Sequence, residues 1–174
     1  MKRIAVLLLT LLMCASAACA QAQTTATLAS VEGQFEIVLQ YEEPLTLTQE
    51  EAPASYVYFS AEREGLAPVY VSIAPSELAE GLSMADLGEE GQRMLLAMAS
   101  NGYQSPVTET RTTESGNLYL SICSNEESDI DTLFTLYKGY FVQLTQFKDD
   151  FSALTDADKA FCLELLQGIE FIDQ

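Results

Sequence analysis

The segment SNEESDID (Ser124–Asp131) is the densest run of side chains in this sequence that could bind a metal ion. Its four carboxylates belong to Glu126, Glu127, Asp129 and Asp131. Carboxylate oxygens are hard ligands of the kind that Ca²⁺ prefers, but the segment lacks the glycine and the ligand spacing of an EF-hand loop. A Ca²⁺ site is therefore one hypothesis for this loop, a solvated acidic surface is the other, and no other cofactor is indicated.

The chain contains no histidine, which limits the catalytic chemistry open to it. Serine and cysteine hydrolases of the triad type use a histidine base, and zinc sites use histidine or several cysteines. The sequence also has no glycine-rich phosphate loop. We therefore expect a non-enzymatic protein with no catalytic residues. One alternative is a glycan hydrolase built on two carboxyl groups about 5–10 Å apart, at least one with a raised pKa. The other alternative is a purely structural secreted domain with no small ligand.

Three tyrosines, Tyr56, Tyr58 and Tyr70, fall on two segments that read as the arms of a β-hairpin. Alternation along the strands places them near one another on one face. If exposed, they would form an aromatic platform for a sugar or a protein partner. The alternative is that they pack beneath a helix.

Two cysteines, Cys123 and Cys162, lie within the region that reads as folded. In an exported chain such a pair is a candidate disulfide, which would stabilise the fold by about 3–4 kcal/mol. The alternative is two small buried hydrophobic side chains.

The first 20 residues have the features of a bacterial secretory signal peptide: a basic start, a short apolar run and small residues after it. Cleavage before Cys19 would resemble lipoprotein processing and would leave Cys19 as a lipid anchor. Cleavage after Ala20 would release a secreted protein. Residues 21–30, rich in Ala, Gln and Thr, are typical of a flexible tether. We expect an extracytoplasmic protein, secreted or anchored to the outer face of a membrane.

Acidic residues outnumber basic ones by 26 to 8, which gives a formal net charge of −18. Removal of the signal peptide takes away Lys2 and Arg3 and makes the chain more acidic still. Such a surface repels nucleic acid and anionic lipid, so we expect contact with a membrane only through a lipid on Cys19. It also favours a monomer and a cationic protein or peptide as partner.

The strands and helices of the fold must position the candidate site residues named above. Alternating apolar residues predict strands from Val31 onward, a hairpin across Glu64–Gly65 and a second antiparallel set after residue 106. Helical spacing predicts a central helix that begins near Ser83 and carries a core stripe of methionines (Met84, Met94 and Met98), and a C-terminal helix from Thr155 to Gly168. The expected fold is α+β over residues 31–174. A mainly antiparallel sheet packs against both helices as an α/β sandwich in a single domain.

Four segments carry a resemblance to a known family: GQFEIVL (33–39), SMADLGEEGQRML (83–95), GYFVQLTQF (139–147) and LLQGIEFI (165–172). Their order resembles the PsbP-like and DcrB-like α/β sandwiches, to which many small bacterial envelope lipoproteins are similar, over about residues 31–173. The resemblance implies a binding or accessory role at the cell envelope. It supplies no catalytic residues.

Overall fold

Ten strands and two α-helices make up the regular structure of the part of the chain that the computed structural model describes, residues 23–30, 32–101, 103, 106–125 and 129–172. The strands are β1 (Gln23–Ala29), β2 (Glu36–Glu42), β3 (Thr46–Gln49), β4 (Val57–Glu62), β5 (Val69–Pro75), β6 (Val107–Thr112), β7 (Leu118–Cys123), β8 (Ile130–Tyr137), β9 (Tyr140–Phe147) and β10 (Ile169–Phe171). The helices are α1 (Gly88–Ala99) and α2 (Asp156–Gly168), and short 3₁₀ turns form at Glu77–Ala79 and Met84–Leu87.

The strands form two antiparallel sheets. The larger has the order β3-β4-β5-β9-β8-β7-β6, and the smaller has the order β1-β2-β10. The small sheet and α2 pack on the inner face of the large sheet, where the main core lies. The 3₁₀ turn at Met84–Leu87 and α1 cover part of the outer face, over β7 and β8. The predicted α+β class, with a mainly antiparallel sheet, is confirmed.

The start of α2 is fixed by a capping box. The Thr155 hydroxyl accepts a hydrogen bond from the Asp158 backbone N–H, and the Asp158 carboxylate accepts one from the Thr155 backbone N–H at 2.7 Å. Asp158 also accepts from the Ala67 backbone N–H, at 2.8 Å, in the loop between β4 and β5. One buried carboxylate therefore both begins the helix and ties it to the large sheet.

A second contact holds α2 from the side. Arg63 forms a two-pronged ion pair with Glu164 at 2.7 and 2.8 Å and donates to the Glu42 carbonyl oxygen at 2.8 Å. The guanidinium group lies 4.6 Å from the centre of the Phe161 ring. The arginine thereby links α2 to both sheets, and its hydrogen bonds lower the pKa of Glu164.

The interpretation of residues 21–30 as a flexible tether is wrong for residues 23–29. This segment is strand β1, paired along its length with β2 from Gln23–Glu42 to Ala29–Glu36. Only Leu28 among its side chains is buried, because β1 is an edge strand. Its Thr- and Ala-rich sequence has little alternation of apolar residues, so the sequence did not indicate a strand. The signal peptide and Cys19 lie outside the described residues, and there they remain predictions. None of the described helices is long and apolar enough to cross a membrane.

The predicted methionine stripe of the central helix is wrong in part. Met84 is buried, but Met94 and Met98 are 61% and 68% exposed. The reason is that Met84 belongs to a 3₁₀ turn, and Gly88, with φ +62°, separates that turn from α1. The helical phase therefore restarts, and α1 packs on the sheet through Leu95, Leu96 and Ala99 instead.

These exposures predict unequal effects of substitution at the three methionines. Met84→Ala should lower the free energy of unfolding by about 3 kcal/mol, because it leaves a cavity in a packed cluster. Met94→Gln and Met98→Gln should change it by less than about 0.5 kcal/mol. Urea denaturation of the three variants measures this, and a large loss in either glutamine variant would show that α1 packs through a different face.

Candidate functional site

The inner face of the large sheet is open along one flank of α2. Lys159, Leu163, Leu166 and Gln167 follow one another along this flank at helical spacing, and each borders a cavity over the inner face of β6–β8. The aromatic cavity, as we name it, lies at the C-terminal end of α2 and has a volume of about 320 Å³. The thiol cavity lies beside Lys159 and has a volume of about 220 Å³.

Ring side chains form one side of the aromatic cavity. Tyr137, the last residue of β8, stacks on Phe171 of β10 with 5.6 Å between ring centres. Phe171 also stacks on Tyr140, the residue paired with Tyr137 across β8 and β9, at 4.5 Å, so two rings of the large sheet hold its position. Tyr119 of β7 is buried and borders both cavities. The rings are held by packing before any ligand arrives.

Hydrogen-bonding side chains form the rim of the aromatic cavity. In the turn between β6 and β7 the hydroxyl groups of Thr113 and Ser115 are 2.9 Å apart, and the Asn117 side chain donates to Ser115 at 3.2 Å. Gln167 and Glu170 border the cavity from α2 and β10. Glu170 carries the one charge among the described residues that line it.

The thiol cavity brings together groups of a different kind. The Cys123 thiol donates to the Asp131 carboxylate at 3.4 Å, and Glu109, Arg111 and Lys159 line the same space. Asp131 is almost fully buried, and this burial raises its pKa, although the hydrogen bond from Cys123 opposes the shift. Glu109 accepts a hydrogen bond from the Arg111 guanidinium at 2.7 Å.

The structure does not join Cys123 and Cys162 by a disulfide. Both nevertheless lie near the carboxylate of Asp131. Burial raises the pKa of the Cys162 thiol, and the charge of Asp131 raises it further. The disulfide itself stays a prediction.

The difference in exposure predicts a difference in thiol reactivity. Cys162 is fully buried, whereas Cys123 is half-buried and borders a cavity. In the reduced protein, the Cys162→Ser variant should react with a maleimide in the native state. The Cys123→Ser variant should react at least about a hundredfold more slowly, at a rate set by unfolding. Equal rates in the two variants would contradict the placement of Cys162.

The residues predicted to bind Ca²⁺ are brought together only in part. Asp129 accepts a hydrogen bond from the Asn125 side chain at 2.8 Å, whereas Asp131 is buried against Cys123. Glu126 and Glu127 lie outside the described residues. Within the described ranges, no group of three or more His, Cys, Asp or Glu side chains is arranged to hold a metal ion.

Two of the three predicted platform tyrosines share a surface. Tyr58 and Tyr70 are half-buried on the outer face of β4 and β5, and Tyr56 precedes β4. Tyr70 stacks on Phe147 at 5.2 Å, and Phe147 stacks on Phe151 at 5.9 Å. Burial, with the nearby charge of Asp149, raises the pKa of Tyr70. Ligand binding by this surface stays a prediction.

Comparison of the chain with protein-family models and with curated proteins found no match. The chemistry of the site must therefore be argued from its own residues.

Sequence reasoning missed both cavities. One signal was present: alternation along β8 places Asp131, Leu133, Thr135 and Tyr137 on one face of the sheet, so an acid and a tyrosine at its two ends share that face. Nothing local shows that the end of α2 and the β6–β7 turn border the same cavity over this face, because these residues are far apart in the chain.

Proposed function

We propose that this chain is a non-enzymatic, exported binding domain of the bacterial cell envelope, and that its ligand occupies the aromatic cavity. The observation that carries the proposal is the cavity itself. Its volume of about 320 Å³ is near the lower end of the range typical of ligand pockets. It is lined by packed aromatic rings and by a few polar side chains that could form hydrogen bonds with a ligand. The other alternative, a purely structural domain, predicts that this cavity takes up no ligand.

Binding fits the charged groups of the cavity better than catalysis does. Hydrolysis of a glycoside needs two carboxyl groups facing each other across the substrate. Glu170 is the single carboxylate among the described residues of the aromatic cavity. A binding site needs no such pair.

The alternative, a carboxylate-based glycan hydrolase, has its support in the thiol cavity. Asp131 and Glu109 both line it, and burial raises the pKa of Asp131, as a general acid requires. Against this, Asp131 is only 3% exposed and is hydrogen-bonded to Cys123, and Glu109 is paired with Arg111. If the alternative holds, Asp131→Asn should abolish hydrolysis of chitin or peptidoglycan fragments that the wild-type protein cleaves.

The export and the envelope location rest on the signal-like first 20 residues and on the resemblance described above. If Cys19 carries a lipid, it lies only four residues before Gln23, the first residue of β1, a reach of at most about 14 Å. The start of β1 would then lie within that distance of the membrane surface. An intact mass of the native protein decides the matter: lipidation predicts residues 19–174 plus a lipid, and secretion predicts a chain that begins at or near Gln21.

The acidic surface of the protein attracts cationic partners over a longer range than the contacts of the cavity. A net charge of −18 favours encounter with a cationic protein or peptide. This is an effect of the whole surface, whereas the aromatic cavity holds one carboxylate and selects its ligand by other contacts. The two effects are compatible in one monomeric accessory protein.

Binding is tested by titrating the ¹⁵N-labelled domain with three probes: cellobiose, the dipeptide Ala-Ala and the dye N-phenyl-1-naphthylamine. At least one probe should shift the amide signals of the β6–β7 turn and the end of α2. Ser115→Trp, at an exposed position on the rim, should block that shift, and Ser152→Trp, in an exposed loop elsewhere, should leave it. If none of the three probes shifts these signals, the cavity is not a binding site.

A further inference from the structure

The polar side chains of the aromatic cavity come from both layers of the fold. Thr113, Ser115 and Asn117 belong to the β6–β7 turn of the large sheet, whereas Gln167 and Glu170 belong to the layer packed against it. A ligand in the cavity therefore meets hydrogen-bonding groups from two directions. Such an arrangement suits a molecule that carries polar groups around its rim.

The polar groups of the turn are already oriented. The Thr113 hydroxyl accepts a hydrogen bond from the Asn117 backbone N–H at 3.0 Å and lies 2.9 Å from the Ser115 hydroxyl. Asn117 in turn donates to Ser115 through its side chain. Because these groups are held in one geometry, little rotational freedom is lost when a ligand binds them.

The surface between the two polar sides is apolar. It is formed by the rings of Tyr137 and Phe171 and by the aliphatic side chains of Val142, Leu166 and Ile169. A purely apolar ligand would cover this surface but would strip water from the hydroxyl and amide groups of the rim without replacing its hydrogen bonds, which is unfavourable. The ligand must therefore be polar at its edge and apolar on a face.

The charge of the residues that line the cavity further restricts the class of ligand. No lysine or arginine is among the described residues that line the cavity, and Glu170 contributes a negative charge. A phosphate or carboxylate ligand would find no cation there and would be repelled by Glu170. The carboxylate of Glu170 can, in contrast, accept hydrogen bonds from the hydroxyl groups of an uncharged ligand.

We infer that the aromatic cavity binds an uncharged saccharide, with its hydroxyl groups on Asn117, Gln167 and Glu170 and a ring face on the apolar surface. This inference rests on the proposed binding function and names its ligand class. A pyranose ring has the required form, because its hydroxyl groups lie at the edge and its C–H groups form the faces.

The test compares cellobiose and N,N′-diacetylchitobiose with glucuronic acid and N-phenyl-1-naphthylamine, by titration of the ¹⁵N-labelled domain. The two uncharged saccharides should shift amides of the β6–β7 turn and of β10. Asn117→Ala and Gln167→Ala should each weaken this binding about fivefold, the effect of one lost hydrogen bond. Glucuronic acid should bind about fivefold more weakly than an uncharged sugar because of Glu170.

Controls separate this inference from the function on which it rests. Asn117 and Gln167 are exposed, so unchanged melting temperatures should show that both variants fold, and Gln143→Ala, exposed on the opposite face of the sheet, should bind as the wild type does. If the dye binds in the cavity and the saccharides do not, the saccharide class is overturned and the binding function stands. The inference would also be overturned if the saccharides shifted only the amide signals around Tyr58 and Tyr70. If neither these probes nor the dipeptide Ala-Ala binds in the cavity, both proposals fail.

Discussion

Gly168→Ala should lower the free energy of unfolding by about 3 kcal/mol or more, the largest effect we expect from the addition of one methyl group. Gly168 ends α2 and is followed directly by β10, which pairs with β2 through Ile169 and Leu39. A Cβ at this position would overlap the backbone carbonyl oxygen of Gln40 in β2. Because the obstacle is backbone, it cannot move aside without breaking the small sheet.

Gly65→Ala provides the matched control for this prediction. Gly65 has φ +79° but has open space where a Cβ would be added, so alanine there meets conformational strain alone. Its cost should be about 1 kcal/mol. Urea denaturation of both variants measures the difference, and losses of equal size would show that the approach of α2 to β2 is not the reason Gly168 is needed.

Asp158→Ala should cost about 3 kcal/mol through a different mechanism. The buried carboxylate accepts hydrogen bonds from the Ala67 N–H and from the N–H and hydroxyl of Thr155, and it pairs with Lys148 at 3.3 Å. Its removal leaves the Ala67 N–H, in a buried residue, without its acceptor and deprives α2 of its cap. Chemical denaturation at neutral pH measures this loss.

The same carboxylate predicts a pH dependence of stability. Burial would raise the pKa of Asp158, but the hydrogen bonds from Ala67 and Thr155 outweigh it and lower the pKa from 3.8 to about 2. The folded state therefore binds this proton less readily than the unfolded state, and stability falls on acidification. About 2 kcal/mol should be present above about pH 4 and should be lost as the pH falls through about 2.

Asp156→Ala tests whether this behaviour belongs to Asp158. Asp156 lies in the same first turn of α2 but is exposed. Its loss should cost less than about 1 kcal/mol, the effect of one charge on a helix terminus. The Asp158→Ala variant should lose part of the pH dependence between about pH 4 and 2, and the Asp156→Ala variant should keep it. If the Asp158→Ala variant kept the pH dependence and the Asp156→Ala variant lost it, the acid sensitivity would not come from Asp158.

The strands and turns with strong local signals could be predicted from the sequence. The hairpin across Glu64–Gly65 and the turn at Lys138–Gly139 depend on neighbouring residues. So do the two capping boxes at Ser83 and Thr155. Local chemistry decides these features, and the sequence contains it.

Features that depend on distant partners could not be predicted in this way. Strand β1 has few apolar side chains and exists because β2 offers it an edge. The aromatic cavity requires that Phe171 of β10 meet Tyr137 of β8 across two layers. No local pattern specifies that meeting. Tyr58 and Tyr70, which were singled out by type and spacing, lie on the opposite face of the sheet from this cavity.

Binding in the aromatic cavity is tested most directly by a crystal structure of the mature protein grown with cellobiose. We expect an open cavity between the β6–β7 turn and the end of α2, with the sugar in contact with Asn117 and Gln167 and beside the Tyr137–Phe171 stack. A structure in which the surrounding side chains close this space, with no sugar bound, would show that the cavity is not a saccharide site.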